Sequence, residues 1–159
     1  MRFEWAFPLA MGMVLPVSVE AQVIPYFEGK LDCDTAYTNL EMGLCSRYLL
    51  DSATARMNEL VSQFDRSIDS ALTATQFELS NERDASYFEY LHGEVARLST
   101  IRRELSASQA AFVTYSAHCR EVVGEMIGMG RERRIHENYA ELDMVIVRTE
   151  VLKRWLEFY

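Results

Sequence analysis

From Tyr37 onward the apolar residues recur every three or four positions. Leu40, Leu44, Tyr48, Met57, Val61, Phe64, Ile68 and Leu72 make a first series at the period of one helix face. A second runs through Phe88, Leu91, Val95, Leu98, Leu105, Phe112, Tyr115, Cys119, Val122 and Met126. A third runs through Ile135, Tyr139, Leu142, Val145, Thr149, Leu152 and Leu156. Polar residues fill most of the gaps, and the strict alternation of a half-buried strand is absent. Three such stripes can be buried only against one another, which predicts an all-α antiparallel bundle of three helices whose first two form a long hairpin.

Short polar residues and glycines set the breaks. Ser80-Asn81 offers side chains that compete for the backbone, and Gly124, Gly128 and Gly130 cluster between the second and third series. Thr38 and Glu41 have capping-box spacing at the head of the first helix. Ser106 and Gln109 match the same pattern inside the second series, which leaves a four-helix variant open. Proline occurs only at Pro8, Pro16 and Pro25, so nothing after Pro25 interrupts a helix by that route.

The N-terminus obeys a different pattern. Arg2 precedes an apolar stretch from Trp5 to Val19, and Val19 and Ala21 place small residues at −3 and −1 of a cut after Ala21. This predicts a signal peptide over residues 1–21, an N-terminal extension over 22–34 and the helical domain over 35–159. The expected location is periplasmic or secreted, and no later stretch is long and apolar enough to span a bilayer. With 159 residues, 49% of them hydrophobic and 25% charged, the chain suits one globular domain. Its net charge of −8 opposes binding to nucleic acid or anionic lipid and suits a basic partner.

In an oxidising compartment, three cysteines allow one internal bridge and leave one thiol over. Cys33 and Cys45 would lie roughly 18 Å apart if the chain between them were helical, beyond disulfide reach unless Cys33 folds back. A hairpin turning near residue 82 brings Cys45 level with Cys119, and Cys45–Cys119 is therefore the expected bridge. Cys33–Cys119 competes with it through a turn near residue 76. On the first pairing Cys33 is unpaired and available for a disulfide-linked homodimer.

The segment Cys33-x4-Thr38-x2-Glu41-Met42-x2-Cys45-x2-Tyr48, followed by Ala53 and Met57-Asn58, resembles the opening signature of the LprI-like lysozyme-inhibitor family of secreted bacterial proteins. Leu105-x3-Gln109-x2-Phe112-x2-Tyr115 and then Cys119 is similar to that family's second block. The pattern departs at Ser116-Ala117, where an Arg-Asp pair is usual, and near Tyr139-Ala140, where a fourth cysteine is usual, although Arg148 and Leu152 match the residues that follow it. The resemblance implies an exported helical domain that inhibits lysozyme, with Cys33 having lost its partner. It maps no lysozyme-contacting residue onto this chain.

Candidate chemistry is sparse. Glu89 and His92 share a helix face at i and i+3, which is half of a di-iron site, but the second half is missing: Glu132 lies four positions before His136. His118 and Cys119 are adjacent and point about 100° apart on a helix, so they do not form a nucleophile and base. Glu121 and Glu125 lie on a polar face. The expectation is therefore no catalytic residue, no metal and no cofactor. For binding, Met126, Ile127 and Met129 stand between glycines and either meet a protein partner or staple a helix end. Arg131, Arg133 and Arg134 either hold an anion or form a charge network with Glu125 and Glu132. The function expected on these grounds is non-catalytic binding and inhibition of lysozyme; the alternative is an envelope structural or assembly module that binds another protein.

Overall fold

The computed structural model describes residues 23–26, 29–130 and 132–158. The expected signal peptide over residues 1–21 and Arg131 lie outside them. A short antiparallel hairpin, β1 (Val23–Tyr26) and β2 (Gly29–Asp32), leads into a 3-10 turn at Cys33–Thr35. Three helices follow: α1 (Asn39–Asn81), α2 (Ala85–Ile127) and α3 (Arg133–Phe158). The body is the all-α three-helix bundle that the stripes predict. The hairpin lies in the expected N-terminal extension, ahead of the helical body, and its strands are four residues each, too short for alternation to register in the sequence.

The helix ends follow the capping chemistry. The Glu41 backbone N–H donates to Thr38 Oγ1 at 3.2 Å, and the Glu41 carboxylate accepts from the Thr38 N–H at 2.9 Å, which closes the box at the head of α1. Asp84 caps α2, its carboxylate accepting from the backbone N–H of Ser86 and Tyr87. Gly128 ends α2 at φ +76°, a left-handed conformation that disfavours any side chain, with its N–H bonded to the Gly124 carbonyl. The four-helix variant is not adopted. Ser106 and Gln109 lie inside an unbroken α2, whose backbone donors are already satisfied, and Gln109 instead accepts from Arg148.

The core runs along the bundle axis through Leu50, Met57, Phe64, Ile68, Leu98, Leu105, Leu142, Val145 and Leu152, all buried. α3 runs parallel to α1: Asn138 Nδ2 donates to the buried Ser46 Oγ at 3.0 Å, and Gly43 approaches Ile135. Farther along, Arg148 lies between the Phe112 and Trp155 rings, 5.9 and 5.1 Å from their centroids, and donates to Ser108 and Gln109 of α2. Desolvation there lowers the Arg148 pKa. α1 and α2 have 43 residues each and α3 has 26. The cross-pairings therefore bring Phe158 about level with residues 66 and 100. Beyond that level the hairpin continues as a two-helix arm roughly 22 Å long, at 1.5 Å per residue.

The disulfide joins Cys33 to Cys45, with Cα atoms 5.5 Å apart, and Cys119 is the free cysteine. This overturns the expected Cys45–Cys119 bridge and the competing Cys33–Cys119 bridge. α1 begins only at Asn39, so the turn at Cys33–Thr35 and the extended Ala36 fold the chain back over the first helical turns. The bridge and the capping box thus fix the same helix start. Because Cys33 is bonded within the chain, it is not the free thiol that a disulfide-linked dimer would need.

Candidate partner-binding surface

The bundle end that carries the disulfide also carries the α2–α3 loop and an apolar strip of α2. In the arm and mid-bundle, α2 buries Leu91, Leu98 and Leu105, seven apart. Continuing that spacing leads to the partly buried Phe112; from there the buried positions step by four to Ser116 and by eight more to Gly124. These small residues make the α2 interface at this end. A Cβ on Gly124 would collide with the Glu137 carboxylate and press on the Arg133 guanidinium, so glycine lets that ion pair sit against the helix. Arg133 bonds Glu137 at 2.7 Å and Glu125 at 3.0 Å, and these hydrogen bonds raise its pKa.

With the interface on Ser116 and Gly124, apolar residues one or two positions away are turned to solvent, about 100° or 200° around the helix. Tyr115 and Val122 are each 59% exposed, Met126 is 80% exposed, and Met129 beyond the Gly128 cap is fully exposed. Ile127 is 43% exposed. Val122 and Met126 line a shallow concavity of about 530 Å³ rimmed by His118, Glu121 and Glu125. Met126 and Met129 therefore do not staple the helix end. Of the carboxylates beside them, Glu125 is paired with Arg133, and Glu121 lies 3.6 Å from His118, an ion pair only when the imidazole is protonated. Cys119 lies within the strip, and its hydrogen bond with the Tyr115 hydroxyl raises the tyrosine pKa.

A second depression at this end, about 720 Å³, lies between α1, α2 and α3 and is lined by Leu40, Leu44, Arg47, Arg120, Arg134 and Ile135 among others. Arg47 and Arg120 are neutralised by Asp51 and Glu141. Of the expected arginine cluster, Arg133 belongs to the carboxylate network and Arg134 lines this depression, so the two face different partners.

The sequence series named Met126, Ile127 and Met129 but counted Tyr115 and Val122 as core. The signal that separates them is the pair of small residues, Ser116 and Gly124, on the neighbouring face. Elsewhere, Glu89 and His92 are both exposed, and His92 packs against the edge of Phe88, centroids 4.8 Å apart. Among the described residues no group of three metal-ligating side chains converges, and no helix is long and apolar enough to cross a membrane. Comparison with protein-family models, curated proteins and solved structures gives no match to this chain.

Proposed function

We propose that this chain is an exported protein of the LprI-like type that binds lysozyme and blocks it by occupancy, without chemistry of its own. The observation that carries the proposal is the strip Tyr115, Val122, Met126 and Met129, apolar and solvent-facing beside Glu125, whose charge Arg133 already pairs. Unbranched methionines adapt to a concave partner surface, and the pairing of Glu125 with Arg133 lowers the desolvation cost of covering it. The Cys33–Cys45 bridge suits an oxidising compartment, and the −8 net charge favours encounter with a basic enzyme.

The test is lysozyme activity on cell walls with and without stoichiometric purified protein, at low and physiological salt, with c-type and g-type enzymes in parallel. Inhibition is expected, and Met126→Glu with Met129→Glu weakens it at least about thirtyfold if the two act as anchor residues, with helical content unchanged. Failure to inhibit either type overturns the lysozyme reading. The second reading is an envelope assembly module, and the two-helix arm favours it: a paired helix extension beyond α3 is a shape suited to packing along another protein.

A further inference from the structure

The far end of the arm has a different surface. Phe77, Glu78, Asn81, Glu82 and Tyr87 line a concavity of about 440 Å³ where α1 turns into α2. Phe77 is 71% exposed, and Tyr90, stacked on Tyr87 with centroids 5.8 Å apart, is 61% exposed. The Tyr87 hydroxyl donates to Glu78 Oε2 at 3.2 Å, which fixes the ring beside the carboxylate. Glu82 Oε1 accepts from the backbone N–H of Arg83 and Asp84, so this carboxylate is also held in place.

The segment from Phe77 to Glu94 contains five carboxylates and one arginine. Among the described residues, Glu78, Glu82, Asp84 and Glu89 belong to no ion pair, whereas Glu125, Glu137 and Glu141 at the opposite end are all paired with arginine. Fixed aromatic faces beside unpaired carboxylates attract a cation through both the ring quadrupole and the charge. The chain uses that chemistry internally, where Arg148 lies between Phe112 and Trp155. At the arm tip the rings and carboxylates are in place, and Arg83, the one arginine of the segment, makes no ion pair or ring contact among the described residues.

We propose that the arm tip is a second docking surface, which takes a lysine or arginine side chain of a basic protein partner between Phe77 and Tyr87, against Glu78 and Glu82. This does not rest on lysozyme being the target, because it fixes the chemistry of the partner's side chain and uses the end of the molecule away from Met126 and Met129.

The experiment is an NMR titration of the whole protein with a lysine- and arginine-rich decapeptide, an acidic decapeptide and tetramethylammonium, at low and physiological salt. The basic peptide is expected to shift amides confined to residues 77–94, and the acidic peptide to shift none. Glu78→Gln with Glu82→Gln weakens binding about tenfold at low salt, Phe77→Ala with Tyr90→Ala at least about fivefold, and Met126→Glu with Met129→Glu leaves it unchanged. Shifts spread over carboxylates along the whole chain, or binding indifferent to the loss of Phe77 and Tyr90, overturn the proposal. So does a response to tetramethylammonium without one to the peptide, which would assign a small organic cation instead. If Phe77→Ala with Tyr90→Ala unfolds the arm, the Glu78→Gln and Glu82→Gln pair, isosteric and exposed, decides. Loss of lysozyme inhibition with tip binding intact counts against the lysozyme reading alone.

Discussion

The two ends of this bundle are built from the same helices and present opposite surfaces. At the disulfide end three helices meet, Glu125, Glu137 and Glu141 are matched by arginines, and the exposed groups beside them include methionine, valine and tyrosine. At the arm tip only two helices meet, four carboxylates lack an arginine among the described residues, and the exposed groups are aromatic. Neutralised charge makes a surface that apolar contact can cover; unpaired charge makes one that calls for a cation. Binding at the first should resist salt, and binding at the second should weaken with it, because exposed ionic attraction is screened within about 8 Å at physiological ionic strength.

The sharpest way to break the comparison is through the cores. Leu152 of α3, 1% exposed, lies in the three-helix part, and Leu91, 2% exposed, lies in the arm. Leu152→Ala should destabilise by about 4 kcal/mol and Leu91→Ala by about 2 to 3, since two helices relax into a cavity more readily than three. Urea unfolding of both variants checks this, and an equal or reversed order would mean that the arm is as tightly held as the bundle. Next is Cys33→Ser, expected to cost about 3 kcal/mol for a loop of this length. It should raise amide exchange at the head of α1 and leave the arm unaffected. Gly124→Ala follows, at about 1 kcal/mol net, because the new methyl displaces the flexible ends of Glu137 and Arg133 while alanine recovers helix propensity; it should also disturb the proposed lysozyme binding through the neighbouring Met126. Thr38→Ala closes the series, also at about 1 kcal/mol, from the lost cap. The Thr38 backbone and hydroxyl bonds hold the Glu41 pKa below its ordinary value. That contribution is present above the ordinary carboxylate pKa and is lost as pH falls through the lowered one, so the wild-type protein should weaken as pH drops below the ordinary glutamate value and Glu41→Gln should flatten that slope.

The helices were legible because their signals are local. Thr38 and Glu41 carried the capping box, Ser80-Asn81 marked the turn within a few residues, and Gly128 supplied the left-handed cap. Where sequence reasoning failed, geometry at a distance decided. The 18 Å estimate between Cys33 and Cys45 assumed a helix through both, whereas the helix starts at Asn39 and the chain before it folds back. Ser106 and Gln109 spelled a capping box that an uninterrupted helix does not use. Tyr115, Val122 and Met126 repeat at helical spacing like core residues, and periodicity alone does not say which of two adjacent stripes is buried. Ser116 and Gly124 take the interface because their small side chains admit α3 and its ion pair. The arm-tip surface left no motif at all, since Phe77, Glu82 and Tyr87 come together only through the turn.

The central claim is that the strip from Tyr115 to Met129 is the face covered by a lysozyme. Amide hydrogen exchange of the protein, alone and with stoichiometric c-type lysozyme, tests it most directly. Added protection confined to residues 113–130 is expected. Protection on the outer face of α3 with none at Val122 and Met126, or no change anywhere along the chain, would contradict it.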